Sequence, residues 1–203
     1  EIEHIKHRFH LRDYYSIETY YRFFIPDMFP QYDKVLYLDC DIAVLGDISN
    51  LFLTNISNFL VGAAQEQVMA HYKVFGDYVE KVLDVKVKDY FNAGVLLMNT
   101  KLFRAYNITF KFFKMMSEFK FRVTQDEDYL NVLCKDRVKK LSIGWNKMPF
   151  EETGFDDIDL QLIHYNLGRK PWHYENVMYE EYFWQYAVQT EFYDQIKQGL
   201  INF

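Results

Sequence analysis

The sequence contains little glycine, proline and cysteine, and these shortages limit the kinds of protein that it can encode. Its 203 residues include 8 glycines, 4 prolines and 2 cysteines, with no repeat, linker or low-complexity segment, so a disordered or repetitive chain is excluded. The two cysteines, Cys40 and Cys134, form no CxxC pair. This spacing favours a reducing compartment, although one disulfide between them stays open.

The sequence also lacks a cationic surface and a long apolar run. Its 23 Lys and Arg residues are outnumbered by 29 Asp and Glu residues, for a net charge of −6, and no dense basic run suggests binding to nucleic acid or anionic lipid. No signal peptide and no apolar span of about 18 residues is visible. We therefore expect a soluble cytoplasmic protein without a transmembrane segment, with peripheral contact at the inner face of the membrane left open.

What the sequence does contain is apolar and aromatic. Half of its residues are hydrophobic and 19% are aromatic, which is enough for the core of one domain. Aromatic side chains can line a sugar site, but they more commonly pack in cores and on surfaces. The chain begins at Glu1 rather than at a methionine, with no initial strand pattern, so we expect that a preceding segment has been removed.

The most informative stretch is Lys34–Asp41, in which an apolar, β-forming run ends in two aspartates that flank Cys40. We expect a buried strand here, and open α/β sheets bind their ligands at the carboxyl ends of strands. Residues i and i+2 of an extended chain point the same way, so Asp39 and Asp41 can converge on one hard cation. The pattern predicts a divalent metal under the diphosphate of a nucleotide-sugar.

Further predicted strands carry polar side chains at or near their ends: residues 60–64 before Glu66, residues 91–99 with Asn92, and residues 158–163 before His164. Gly94 either leaves room for a ligand or marks a bulge, and the residues do not choose between the two. A lone His is more often structural, but Gly168 and Lys170 follow this one. Together these residues can supply a metal ligand, a backbone segment that a ligand can approach closely, and a cation that binds phosphate.

Helical spacing or capping residues predict helices at residues 16–25, 107–120 and 173–203, and a helix with a loop at residues 69–88. We expect Ser16 to cap the first helix and Pro26 to end it. Arg22 would then meet phosphate or complement the helix dipole, and the dipole role is the simpler one. In the third helix the predicted core residues are Ile108, Phe112, Met115, Met116 and Phe119. The tail is expected to form one or two helices that close over the domain.

Three consecutive acids, Asp126 to Asp128, stand at the start of another predicted helix. The helix dipole accounts for one or two of them, and three are more than a cap needs. The N-terminal histidines His4, His7 and His10 share one helical face. We interpret that segment as solvated rather than as a metal site, because it has no acidic or Cys partner nearby.

Four segments, taken in order, resemble glycosyltransferase family 8, which includes lipopolysaccharide galactosyl- and glucosyltransferases and glycogenin. The segments are Lys34-Val-Leu-Tyr-Leu-Asp-Cys-Asp41, Phe91-Asn-Ala-Gly-Val-Leu-Leu-Met-Asn99, Asp126-Glu-Asp-Tyr-Leu-Asn131 and His164…Lys170-Pro-Trp172. A lone Asp-x-Asp would be weak evidence, whereas an ordered set across residues 16–172 is strong.

The resemblance implies an α/β chain with the Rossmann-like, A-type fold of nucleotide-diphospho-sugar transferases, built on a mixed central sheet in a single domain over residues 1–203. It implies Mn²⁺ as cofactor, with Mg²⁺ as the alternative. It also implies transfer of glucose or galactose, with retention at the anomeric carbon, from UDP-glucose or UDP-galactose. The implied acceptor is a glycan or lipid-linked sugar of the bacterial lipopolysaccharide type.

The resemblance also assigns residues by position. The implied metal ligands are Asp39, Asp41 and His164. The implied donor-binding residues are Arg22, Leu38, Cys40, Glu66, Asn92, Ala93, Gly168 and Lys170, of which Lys170 matches the lysine that contacts the diphosphate.

The sequence departs from the family pattern at three points. Gly168 follows His164 by four residues instead of three, which puts its backbone contact with the donor in question. The family's usual Asp-Gln-Asp is Asp126-Glu-Asp128 here, so Glu127 adds a charge where the donor sugar is expected. The family's first strands, which hold much of the uridine, have no counterpart, and we expect a truncated piece of a longer enzyme rather than a compromised nucleotide site.

Two mechanisms of retention stay open. Either Glu127 or Asp128 is a carboxylate nucleophile, as in retaining glycosidases, or the acceptor attacks on the same face and the leaving phosphate accepts its proton. The candidate catalytic residues are therefore Asp126, Glu127 and Asp128. Two other functions also stay open: hydrolysis of a UDP-sugar without an acceptor, and an inactive module that binds a nucleotide-sugar or a glycan.

Overall fold

The computed structural model describes Phe9 and residues 16–121, 123–151 and 155–200. These residues fall into two compact units. The first unit is drawn from Glu1–Tyr37 and Thr54–Leu141, and the second from Leu38–Leu53 and Ser142–Phe203. The single domain expected from the sequence stays a prediction, and the three N-terminal histidines lie outside the described residues.

The described residues form short strands and helices, mixed along the chain. The strands are β1 (Val35–Leu38), β2 (Ile42–Val44), β3 (Val61–Ala63), β4 (Val95–Met98), β5 (Val138–Lys140) and β6 (Leu162–His164). The α-helices are α1 (Ile25–Met28), α2 (Ile48–Phe52), α3 (Lys73–Lys81), α4 (Thr100–Ala105), α5 (Ile108–Glu118), α6 (Asp126–Leu133), α7 (Glu180–Ala187) and α8 (Tyr193–Gly199). Short 3₁₀ helices cover Ile17–Phe23, Met69–His71, Val87–Asp89, Ile143–Trp145 and Asp157–Asp159. Among the described helices, none has the length and apolar character that a membrane crossing requires.

A mixed four-stranded sheet, in the order β1-β4-β3-β5, runs through the first unit. Strand β3 pairs antiparallel with β4, with Val61 opposite Met98, and parallel with β5, with Val61 opposite Val138. The four side chains of β4 have no exposed surface, and burial of each large apolar side chain contributes about 1.5–3 kcal/mol. The predicted mixed sheet is confirmed.

Strand β1 differs from the buried strand that the sequence predicted. All four of its residues are half-buried, because β1 lies at one end of the strand order and lacks a second neighbour among the described strands. The expectation of full burial was therefore wrong, although the strand itself is present and leads directly into Asp39. Its last residue, Leu38, begins the second unit.

Helix α5 places an aromatic cluster in the core of the first unit. The ring of Phe112 stacks on Phe23 with centroids 3.9 Å apart, and Tyr129 meets it edge-on at 5.4 Å. Phe112 is fully buried, and its helical neighbours Ile108 and Met116 are also buried, as the spacing predicted. Phe119 is 56% exposed, contrary to prediction, because α5 ends at Glu118 and the chain becomes extended there.

The segment that follows Ser16 forms a 3₁₀ helix rather than a capped α-helix. The side chain of Ser16 makes no capping hydrogen bond, and the helix ends at Phe23. Pro26 does not terminate it but lies in the first turn of α1. Proline is well suited to that position, since its missing N–H would have no intrahelical partner in a first turn.

The second unit is built on an antiparallel pair, β2 and β6, in which Ile42 lies opposite His164 and Val44 opposite Leu162. The extended segment predicted over 158–163 is shorter than expected, because Asp157–Asp159 forms a 3₁₀ helix. The core of the unit packs Ala43, Leu160, Ile163, Tyr165 and Tyr179 together.

The predicted helices of the tail are present as α7 and α8. The Tyr165 hydroxyl donates to the Tyr179 carbonyl over 2.7 Å, which fixes the start of α7 against the core of the second unit. Ala187 is buried at the other end of that helix.

Candidate active site

Asp39 and Asp41 lie in the bend between β1 and β2, in the second unit. The sequence argument placed them on one side of an extended strand, but β1 ends at Leu38, so the bend brings them together instead. The backbone of Asp41 is held in place because its carbonyl accepts a hydrogen bond from the Tyr165 N–H at 2.8 Å. Pairing of β2 with β6 then places His164 opposite Ile42, next to Asp41.

The three side chains converge. His164 Nε2 lies 3.1 Å from Asp41 Oδ1 and 3.6 Å from Asp39 Oδ2, and one ligand atom from each residue lies within 4.8 Å of the other two. His164 is almost fully buried, whereas the two aspartates are half-buried. Two carboxylate oxygens and one imidazole nitrogen, partly open to solvent, fit a divalent cation such as Mn²⁺.

Lys170 places its positively charged ammonium group beside these residues. Its Nζ lies 2.6 Å from Asp41 Oδ2 and also donates to the Tyr165 carbonyl. Burial alone would raise the pKa of Asp41, but the hydrogen bonds and charges of His164 and Lys170 outweigh it and hold that pKa well below its usual range. Asp41 is therefore an anion, ready to act as a ligand.

The other ring nitrogen of His164 contacts a residue that the sequence did not single out. His164 Nδ1 lies 2.9 Å from Asn146 Oδ1, and the Asn146 side chain is fully buried. Asn146 stood in a predicted loop after Trp145, and a polar side chain in a loop gives no signal of such a contact. Only the folded chain shows it.

The remaining donor-binding candidates of the second unit are less constrained. Leu38 is half-buried at the end of β1, and Cys40 is exposed with a free thiol. A Cβ atom added at Gly168 would meet nothing within 4 Å, so the packing of the described residues does not require glycine there.

In the first unit, the acids at the start of α6 are all buried. Arg22 Nε lies 3.1 Å from Asp126 Oδ2, and Arg22 also donates to the carbonyl of Ala93. Its guanidinium lies over the Tyr37 ring, 4.5 Å from the centroid. Arg22 Nε also donates to the Thr19 carbonyl of its own helix, so its contacts extend well beyond the predicted dipole role.

Glu127 is held by the neighbouring Asn92–Gly94 turn. Its Oε2 accepts hydrogen bonds from Asn92 Nδ2 at 3.0 Å and from the Ala93 N–H at 2.8 Å. Asn92 Oδ1 in turn accepts from the Gly94 N–H at 2.9 Å, so Gly94 serves a side-chain-capped turn. Asn131 Nδ2 donates to the Phe91 and Glu127 carbonyls, and its Oδ1 accepts from the Phe91 N–H, which fixes α6 to this turn.

Burial raises the pKa of Glu127 well above its usual range, and the charge of Glu66 adds to the effect, against a lowering hydrogen bond from the Ala93 backbone. Glu66 Oε2 accepts from the N–H groups of Val68 and Met69. Burial and the nearby acids thus favour the neutral form of Glu127.

Asp128 is saturated by internal donors. Its oxygens accept hydrogen bonds from the Tyr90 and Tyr78 hydroxyls at 2.8 and 2.7 Å, and from Thr124 Oγ1 and N–H at 2.9 and 3.2 Å. Its side chain has no exposed surface. Four donors occupy the Asp128 oxygens, which favours a structural role; its candidacy as a nucleophile stays a prediction.

Comparison with known proteins shows the family to which the chain belongs. The sequence profile described as glycosyl transferase family 8 matches residues 1–176. The chain belongs to this family. Its α/β structure with a mixed sheet is the A-type fold expected from the resemblance, since it matches the galactosyltransferase LgtC in complex with donor and acceptor sugar analogs at a TM-score of 0.73 and 25% identity, over 93% of this chain and 74% of that one.

Curated relatives in the family are longer. The glycosyltransferase GlyA of Streptococcus pneumoniae is 32% identical over 84% of this chain but only 24% of its own length. The lipopolysaccharide 1,3-galactosyltransferase of Salmonella typhimurium is 30% identical over 78% of this chain and 50% of its own length. The chain thus spans between about a quarter and a half of these two relatives.

Proposed function

We propose that this chain carries out glycosyl transfer: a metal-dependent, retaining transfer of glucose or galactose from a UDP-sugar to a glycan or lipid-linked acceptor. The observation that carries the proposal is the convergence of Asp39, Asp41 and His164, with ligand atoms within 4.8 Å of one another, in a chain of family 8. Two carboxylates and an imidazole partly open to solvent form an oxygen-rich metal site that leaves coordination positions for phosphate.

We propose Mn²⁺ as the cation, because one imidazole among oxygen ligands tilts the choice away from Mg²⁺. Held by these three residues, the cation would supply Lewis-acid stabilisation of the charge that develops on the leaving diphosphate. Lys170 adds a second positive charge in the same unit. Its ammonium group already lies beside an anionic oxygen of Asp41, and a flexible lysine head can transfer such a contact to a phosphate.

The three acids of the first unit differ in how their oxygens are engaged. Asp126 is engaged by Arg22 and Asp128 by four donors, which leaves Glu127 as the one candidate nucleophile of the three. A neutral acid is a poor nucleophile, so the raised pKa of Glu127 supports same-face attack, in which the leaving phosphate accepts the proton of the acceptor. Glu127 then acts as a hydrogen-bonding group rather than as an attacking one.

The acceptor and the location are proposed from the relatives. One relative is named as a lipopolysaccharide 1,3-galactosyltransferase, which favours a lipid-linked saccharide in a bacterium. Such an acceptor is assembled at a membrane. We therefore propose that the protein acts in the cytoplasm, with peripheral contact at the inner face of the membrane.

The experiment that tests the function is a donor screen with product analysis. The protein is incubated with UDP-glucose or UDP-galactose and a saccharide acceptor, with MnCl₂ or with EDTA, and the products are separated by mass spectrometry. We expect an acceptor larger by one hexose in the presence of Mn²⁺ and none with EDTA, and NMR of the new linkage should show the anomeric configuration of the donor.

Other outcomes would replace the proposal. Release of free hexose at the same rate with and without acceptor would identify a UDP-sugar hydrolase. Binding of a UDP-sugar by calorimetry with no turnover would identify a binding module.

A further inference from the structure

We propose that Asn146 is a positioning residue that fixes the ring of His164 so that Nε2 faces the cation. The inference rests on the proposed function, because it assigns a task to a residue beside the proposed metal ligands. Asn146 belongs to none of the four segments that carry the family resemblance.

The backbone brings the two residues together. Lys147 forms an isolated parallel bridge with Ile163: its N–H donates to the Leu162 carbonyl at 3.0 Å, and its carbonyl accepts from the His164 N–H at 2.9 Å. Asn146 directly precedes Lys147, and its own N–H donates to the Ile143 carbonyl at 2.8 Å, which ends the 3₁₀ helix Ile143–Trp145. The position of Asn146 is therefore set by two backbone anchors.

The contact itself determines the tautomer. An amide oxygen only accepts hydrogen bonds, so the 2.9 Å contact between Asn146 Oδ1 and His164 Nδ1 requires the proton on Nδ1. In a neutral imidazole the lone pair then lies on Nε2. That nitrogen is the one 3.1 Å from Asp41 Oδ1 and 3.6 Å from Asp39 Oδ2. A cation held by the carboxylates would meet the Nε2 lone pair and take the place of the Nε2–H that otherwise hydrogen-bonds Asp41.

Burial makes this contact effective. Asn146 has no exposed surface and His164 has 2%, so water cannot replace the amide oxygen as partner of Nδ1. Without Asn146 the ring could take the other tautomer or turn about its Cβ–Cγ bond. Removal of such a hydrogen bond to a ligating histidine typically weakens metal binding by about 10- to 100-fold.

The test compares Asn146→Leu, which keeps the branched shape but removes the acceptor, with Asn146→Asp, which keeps an acceptor at the same place. Mn²⁺ affinity is measured by isothermal titration of MnCl₂ into each protein. We expect Asn146→Leu to bind Mn²⁺ about 10- to 100-fold more weakly than the wild type, and Asn146→Asp to stay within about threefold of it. Electron spin-echo modulation from a coordinated imidazole nitrogen should be present in the wild type and Asn146→Asp, and lost or weakened in Asn146→Leu at saturating Mn²⁺.

The control for general destabilisation is Asn99→Ala. Asn99 is a buried asparagine that caps α4 through the Leu102 N–H and donates to the Ile56 carbonyl, and its removal should lower the melting temperature without changing Mn²⁺ affinity. Unchanged Mn²⁺ affinity and nitrogen modulation in Asn146→Leu would overturn the role of Asn146 and leave the proposed metal site intact. Failure of the wild type to bind Mn²⁺ would overturn the metal site of the proposed function, and the inference with it.

Discussion

The two acidic groups of this protein look alike in sequence and differ in structure. Asp39 and Asp41 are half-buried and face one histidine and one lysine, so their oxygens are partly exposed. Asp126 and Asp128 are buried and engaged by internal donors. The difference teaches that clustered acids can bind a ligand where the fold leaves their oxygens accessible, whereas hydroxyl and N–H donors that already satisfy such oxygens favour a structural role.

The largest effect is expected for a substitution in the partly exposed pair Asp39 and Asp41. Asp41→Asn removes a metal ligand and should lower transfer by about 1,000-fold or more, equivalent to about 4 kcal/mol of transition-state stabilisation. The melting temperature should also fall, because the low pKa of Asp41 means that its contacts with His164 and Lys170 stabilise the folded state. Product formation at saturating Mn²⁺ and thermal unfolding measure the two effects, and normal turnover by Asp41→Asn would exclude this metal site.

The same substitution in the buried group should act on stability instead. Asp128→Asn places an NH₂ group against hydroxyl and N–H donors and should cost about 2–3 kcal/mol, a fall of roughly 5 °C or more in melting temperature. Tyr78→Phe, which removes one donor to Asp128, serves as the milder control and should cost about 1 kcal/mol. If Asp128→Asn melts like the wild type and yet loses activity, Asp128 belongs with the catalytic acids after all.

Substitutions of Glu127 should have a smaller effect on transfer. A neutral carboxylic acid and an amide have the same shape and both place a donor at the position of Oε1, so Glu127→Gln should keep transfer within about threefold of the wild type. Glu127→Ala, which removes the group, should lose about tenfold. If Glu127 were a covalent nucleophile, Glu127→Gln would abolish transfer. A trapped glycosyl-enzyme in the wild type would likewise contradict the assignment of Glu127 as a neutral acid.

Stability against pH gives an independent measure of the same residue. The pKa of Glu127 is raised in the folded state, so its contribution to stability is fully present below the unfolded value of about 4.3. It is lost at about 1.4 kcal/mol per pH unit as pH rises from there towards the folded pKa. Urea unfolding at pH 5 and pH 8 should show a larger loss in the wild type than in Glu127→Gln, and equal losses would show that the acid ionises normally.

The smallest expected effect is at Gly168, where an added Cβ meets nothing within 4 Å. Gly168→Ala should leave the melting temperature within about 2 °C, because substitutions in open space change stability by less than about 0.5 kcal/mol. We expect the KM for the UDP-sugar to change by less than about threefold, since the shifted spacing from His164 argues against a close backbone contact. A large rise in that KM at constant melting temperature would show that the glycine backbone contacts the donor.

Much of the fold could be predicted because its signals are local. The apolar runs of β3 and β4, the helical spacing of Ile108, Phe112 and Met116, and the acids that open α6 all lie within single segments. The ends of these elements were predicted less accurately. Pro26 lies in the first turn of a helix instead of ending one, because the N–H that proline lacks is not needed either in a first turn or beyond a last one.

The candidate site was predicted by residue but not by environment. Asp39, Asp41 and His164 converge as the resemblance implied, yet the partners that decide their chemistry come from distant segments. Asn146 reaches His164 through a single bridge between Lys147 and Ile163, and Asp128 is satisfied by Tyr78 and Tyr90, 50 and 38 residues away. Such contacts depend on tertiary packing and leave no periodic pattern in the sequence.

The central claim is that Asp39, Asp41 and His164 hold the divalent cation that transfer requires. The most direct measurement is Mn²⁺ binding in the presence of UDP, followed by electron paramagnetic resonance, in the wild type and in the Asp39→Asn/Asp41→Asn double variant. The account predicts one Mn²⁺ per chain in the wild type and binding weaker by about 100-fold or more in the double variant. Equal Mn²⁺ binding by the two proteins would contradict it.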